Sequence, residues 1–183
     1  MLYAEFTRIT QQGKKMNEGS KRISRGYRDG LLSAVSAGFF LILIGMLFVT
    51  IPNLFDKTVA FFRDFDLTQV PHLEGVLLPG PQNPRTVDAL AVYSAIERFS
   101  LVWAVFLTAM LGARFLLNSP RRSKAQNLGD VAFWFGTAYV AQNLLIDVDT
   151  TEWFGFWAVI IVLVGVSLIA RALYLAAASM ISR

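Results

Sequence analysis

From residue 31 to residue 51 the side chains run without a single charge. At about 1.5 Å per residue such a helix reaches about 31 Å, the depth of a bilayer's hydrocarbon core. Three further apolar stretches follow, at about 99–117, 128–146 and 153–174. These carry scattered polar residues, as spans that pack on one another do. The expected fold is an all-α integral membrane bundle of four transmembrane helices, 31–183, preceded by a basic leader, 1–30.

Between the first two spans lies a long connection, about 52–97, that breaks both patterns. Leu54, Phe55, Val59, Phe61, Phe62 and Phe65 share one side of a helix whose other side carries Asp56, Lys57, Arg63 and Asp64. That distribution predicts an amphipathic helix lying on the membrane surface. Beyond it Pro71, Pro79, Pro81 and Pro84 exclude a regular helix, yet Val70, Leu73, Val76, Leu77 and Leu78 are too apolar for a hydrated loop. The segment is expected to pack as an external lid. A helix restarts near Thr86 and runs to Asn118, about 50 Å, so it either projects outward or breaks near Glu97. The asymmetry between this lid and the short turns elsewhere offers no inverted repeat, the usual mark of a secondary transporter.

Charge sets the orientation. Residues 1–30 hold seven Lys and Arg and 118–129 hold three, whereas 147–152 hold three acids and no base. The positive-inside rule therefore places both termini in the cytoplasm and the protein in the cell membrane as a multi-pass component. The leader is longer than a signal peptide's basic region, the apolar run after it is too long, and no Ala-x-Ala site follows. The first span is expected to be retained. In the leader, Leu2, Phe6 and Ile9 share a helical face among basic residues, so it either rests on anionic lipid or serves as a frayed tail that fixes orientation.

Composition agrees: 55% hydrophobic, 13% aromatic and only 16% charged residues, with a mean hydropathy of +0.49. A net charge of +4 alone would admit nucleic acid as a partner. The bases lie beside apolar segments, however, where anionic lipid is nearer. The chain has no cysteine, which removes disulfides, thiolate metal sites and cysteine nucleophiles together.

Two polar groups stand out. Arg114 and Arg171, near the inner ends of spans two and four, share a depth with Asp29 and Asp130 at the inner starts of spans one and three. They form either a buried charge cluster able to gate or couple proton movement, or acids and bases set at helix ends to suit the macrodipole. On the outer side Glu97, Arg98, Gln142, Asn143 and Asp147 either converge on a cation or solute, or act as interhelical hydrogen-bonding glue. Asp149 and Glu152 have cap spacing for the fourth helix and lack a calcium loop's ligand pattern. His72 is the only histidine, too few for a histidine metal site or a haem pair. No catalytic, cofactor-binding or metal motif is present, and none of these is expected. Small residues recur at four-residue spacing, Ala34 and Gly38, Ala104, Thr108 and Gly112, Ala132 and Gly136. These are close-approach stripes, serving either the internal bundle or a neighbouring copy. Trp153, Phe154, Phe156 and Trp157 outside, and Tyr27, Trp134 and Tyr174 inside, read as interfacial belts.

The stretch GYRDGLLSAVSAGFFLILIGMLFVTIPNLFDKTVAFFRDF, together with VAFWFGTAY, resembles small archaeal four-helix membrane proteins of no known function. That resemblance implies the same membrane fold and assigns no residue a role. The expected role is a non-enzymatic structural or accessory membrane component that associates with itself or a larger complex. The alternative is an oligomeric channel or transporter for an ion or small solute.

Overall fold

The computed structural model describes residues 30–71, 73–117, 119–146 and 152–180. The leader with Asp29, together with His72, Asp147 and Asp149, lies outside the described residues. The chain divides into two units, Met1–Phe39 and Phe40–Arg183, and helix α1, Gly30–Thr50, runs across the division.

The larger unit is mostly helical. After α1 come α2 (Leu54–Arg63), strands β1 (Phe65–Gln69) and β2 (Leu77–Pro81), then α3 (Val87–Leu116), α4 (Arg121–Ala141) and α5 (Trp153–Met180). A π-helical segment, Gln142–Ile146, continues α4. Three of these helices, α1, α3 and α5, are long and apolar enough to cross a membrane.

Helix α2 starts at Asn53, whose φ of 55° is a left-handed conformation that asparagine tolerates. It buries Leu54 and Phe61, seven residues apart, and leaves Phe55 and Phe62 exposed on an adjoining seam. Phe65 is not on this helix, as its spacing had suggested. Asp64 ends α2, and Phe65 opens a strand.

The lid, expected to be irregular, is an antiparallel hairpin, so the fold is not wholly α-helical. Leu67 pairs with Pro79 and Phe65 with Pro81. Both prolines fall in the same phase of the ladder, where the backbone faces away from the partner strand. Bonds on either side, Val70 N–H to Val76 O and Gln82 N–H to Asp64 O, each at 3.0 Å, fix that phase on the even-numbered residues. A two-stranded sheet has only edges, so prolines that would break a central strand cost it no ladder bond. Gly75, at φ 78°, supplies the left-handed residue of the turn. The hairpin's exit is clamped to its entrance: the Asn83 backbone and side-chain amides donate to the Asp64 carboxylate at 2.6 and 2.8 Å.

Helix α3 starts where the sequence indicates, with the Thr86 hydroxyl accepting from Ala89 N–H at 3.1 Å. It then runs 30 residues without a break at Glu97, about 45 Å. Helix α4 begins at Arg121, seven residues before the apolar stretch, so the basic segment 118–129 is mostly helix rather than turn. It packs between α3 and α5. Its antiparallel contact with α5 is closest at Gly129, where a β-carbon would collide with the Arg171 side chain and lie 2.8 Å from Ser167 O, and at Gly136, where it would meet Leu163.

The core lies toward the end that carries the hairpin. Phe61, Tyr93, Val140, Ala141, Leu145 and Phe156 form its main cluster. Ile51, Leu54 and Ala95 form a smaller one where α1 meets α2.

Candidate functional site

At the end away from the hairpin lie Arg114, Asp130 and Arg171, the described members of the group that the sequence forms with Asp29. Arg171 Nη2 donates to Asp130 Oδ1 at 2.6 Å, with the two side chains 32% and 33% exposed. The close approach at Gly129 brings them together: without a side chain there, α5 comes near enough for Arg171 to reach the next residue of α4. Arg114 is the second positive charge acting on Asp130. Its own bond, Nη1 to Ser123 O, is long at 3.4 Å. Among the three described residues the macrodipole account fits only Arg114, which lies in the last turn of α3. Asp130 lies well beyond the first turn of α4, and Arg171 well before the end of α5, outside the reach of the terminal partial charges.

Two bases join this junction that sequence reasoning passed over. Lys124 is only 9% exposed, and its ammonium sits over the Phe115 ring, 4.7 Å from the centroid. Arg121 Nη1 donates to Ala178 O at 2.7 Å, satisfying a carbonyl near the C-terminus of α5. The Nε atoms of Arg114 and Arg171 are buried without an acceptor among the described residues. One turn deeper, Asn127 is 4% exposed and donates from Nδ2 to Leu107 O at 3.1 Å, tying α4 to α3. An asparagine immediately before the apolar stretch was the available signal for this bond.

Of the second polar group, Glu97, Arg98, Gln142 and Asn143 are described and Asp147 is not. Glu97 is half-buried and Arg98 exposed on α3. Among the described residues no side-chain bond joins either to Gln142 or Asn143. Asn143 turns back on its own helix, donating to Tyr139 O at 2.7 Å. The Tyr93 hydroxyl and Ser100 Oγ, 0% and 1% exposed by residue, have no hydrogen-bond partner among the described residues. They stand four residues before and three after Glu97, on the same side of α3.

Aromatic rings dominate the end that carries the hairpin. Phe61 meets Phe65, Tyr93 and Trp153 at centroid distances of 5.2, 5.5 and 5.9 Å. Phe65 meets Trp153 edge-on at 5.5 Å. Phe156 is 3% exposed. Trp153 and Phe156 thus serve a core that binds α2, β1, α3 and α5 together, whereas Trp157 is 48% exposed. Beside this core the hairpin and the start of α5 enclose a groove of about 660 Å³, lined by Val70, Pro71, Pro81, Pro84, Glu152, Trp153 and Phe154 among others.

The small-residue stripes are divided. Ala104 is fully buried and Gly136 packs on Leu163, but Thr108 is exposed and Gly112 has no heavy atom near its missing side chain. Ala132 is half-buried. Within the N-terminal unit Ala34 is exposed and Gly38 equally open. Among the described residues no three His, Asp or Glu are placed to hold a metal ion. Comparison with family models, curated proteins and solved structures finds no match to this chain.

Proposed function

We propose that the chain is a non-enzymatic, structural or accessory component of the cell membrane. In this reading it crosses four times with both termini in the cytoplasm and associates laterally with itself or a larger complex. Helix α4 with its π-helical continuation makes the remaining crossing, about 39 Å long. It is less apolar than the other three because α3 and α5 cover it, so little of it needs to face lipid.

The observation that carries the reading is the uncovered apolar surface. Only 6% of the most apolar window of α1, and 6% of that of α5, is buried within the chain. Val49 and Ile161 are 85% and 72% exposed. Lipid or neighbouring helices must cover these faces. The open positions at Thr108 and Gly112 add a surface on which another backbone can approach closely. Cross-linking in intact membranes followed by native mass spectrometry is expected to give a defined species larger than the monomer. A monomer in both measurements would overturn the reading.

The second reading, an oligomeric channel for an ion or small solute, is favoured by Glu97 standing between two buried, unpartnered hydroxyls. Solute flux through proteoliposomes that Glu97→Gln abolishes would displace the first reading.

A further inference from the structure

We propose that the junction of α3, α4 and α5 at the inner end binds the phosphate of an anionic phospholipid headgroup, at a site separate from the basic leader. The proposal rests on the reading that these helices lie in a bilayer.

Charge imbalance is the first support. Arg114, Arg121, Lys124 and Arg171 lie at one end of α3, α4 and α5, where Asp130 is the single described acid. Asp130 is spent on Arg171, and Arg121 is spent on a carbonyl of α5. Arg114 acts on Asp130 only as a second charge behind Arg171, and Lys124 meets no described acid, so positive charge is in excess.

The state of those two side chains is the second support. Lys124 is more than nine-tenths buried, yet its ammonium has only a ring face for company. Arg114 keeps a buried Nε without an acceptor and one long bond to a main-chain carbonyl. A buried guanidinium nitrogen without an acceptor is costly, and an ammonium that meets only a ring face keeps its donors open; an anion that accepts from both side chains answers both. Arg114 reaches the carbonyl of Ser123, the residue before Lys124, and Lys124 covers Phe115, the residue after Arg114; a guanidinium and an ammonium from facing helix ends suit a phosphate, which takes a planar donor pair and a point charge together.

The surroundings decide for a lipid over a free ion. Leu116, Leu117 and Met180 are 88%, 43% and 75% exposed beside the basic group. They offer acyl chains an apolar wall within reach of the headgroup. Basic pockets between helices on the cytoplasmic side of a membrane recognise anionic headgroups by this combination.

The test uses the full chain in detergent, titrated with phosphatidylglycerol or with phosphatidylcholine of the same acyl chains and followed by native mass spectrometry. Phosphatidylglycerol adducts should predominate. Lys124→Gln and Arg114→Gln should each weaken them about fivefold, the worth of one charge near the surface, and leave phosphatidylcholine adducts unchanged. Arg63→Gln, at the far end of α2, should have no effect. A photoactivatable phosphatidylglycerol on the unaltered protein should label peptides 115–124 and 171–180, which keeps the site testable if a variant fails to fold. Equal binding of the two lipids, labelling elsewhere, or no loss in the double variant would overturn the site. Displacement of phosphatidylglycerol by an equal concentration of inorganic phosphate would overturn the lipid assignment in favour of a soluble anion. Extraction of the protein from membranes by alkaline carbonate would sink the bilayer reading instead, so the two failures are separable.

Discussion

At Gly129 an added β-carbon would meet Arg171 Cγ at 2.7 Å and the carbonyl oxygen of Ser167 at 2.8 Å. A side chain can swing aside, but a main-chain oxygen moves only with its helix. Gly129→Ala should therefore separate α4 from α5 and lower stability by about 1–3 kcal/mol, the usual cost of overpacking, read as an earlier unfolding transition in detergent. Gly112 makes the opposite prediction although both are glycines in long helices. Open space surrounds it, so Gly112→Leu should leave the unfolding of the monomer unchanged and alter only the oligomer seen by native mass spectrometry. Equal destabilisation by the two substitutions would contradict this packing. The Asp130–Arg171 bond depends on the same close approach. Asp130→Asn and Arg171→Gln should each destabilise more than the double substitution does, because either single change strands a charge that is two-thirds shielded from solvent. Additive singles and double would show the pair to be uncoupled.

Among the elements, the hairpin carries the clearest mechanical role. The Gly80 backbone lies against Phe154 and Trp153, with a β-carbon position only 3.2 Å from Phe154 Cζ. Phe61, 3% exposed, locks α2 to the same ring cluster. Phe61→Ala should cost about 3–5 kcal/mol as a large buried ring is lost. It should also expose the turn at residues 70–76 to proteolysis before the helices unfold; resistance equal to the unaltered protein would contradict the clamp. These elements differ in how far the sequence reveals them. Helix α3 is legible at its start, because Thr86 is a capping residue ahead of an apolar run, and α1 is legible through length alone. The hairpin is not. Prolines at 79 and 81 argue against any central strand, and only the phase of an isolated two-stranded ladder makes them harmless. The early start of α4 is hidden for a related reason. Arg121, Arg122 and Lys124 read as a cytoplasmic turn by charge, but Arg121 and Lys124 find a carbonyl and a ring face only after α5 and α3 are in place. At the inner junction the sequence supplies Asp130 and Arg171 by their depth. Their pairing depends on Gly129, which with Ala125 has the spacing of the other small pairs but falls in the basic segment that reads as a turn.

For the molecule as a whole, sidedness decides which chemistry each end meets. If the basic flanks lie in the cytoplasm, the phosphate-binding junction faces the leaflet rich in anionic lipid, and the hairpin groove faces outward. A reversed molecule would put Arg114 and Lys124 where such lipid is scarce, and the lipid site would lose its meaning. The absence of native cysteine makes the arrangement directly readable. Single cysteines at Ser20, Ser123, Gln82 and Thr150 should fall into two classes in intact cells. Gln82, exposed at the hairpin's exit, and Thr150, in the short acidic connection, should react with an impermeant thiol reagent. Ser20 and Ser123 should react only after the membrane is permeabilised, a step that also shows the half-buried Ser123 position to be reactive at all. Labelling of Ser123→Cys in intact cells would invert the topology. Labelling of Thr150→Cys only after permeabilisation, with Gln82→Cys still outside, would leave α4 on the inner side and reduce the crossings from four. The crossing by α4 is the one that apolarity alone does not supply, since α1, α3 and α5 are the helices whose length and apolar surface suffice. Thr150 is therefore the position on which the four-span arrangement turns.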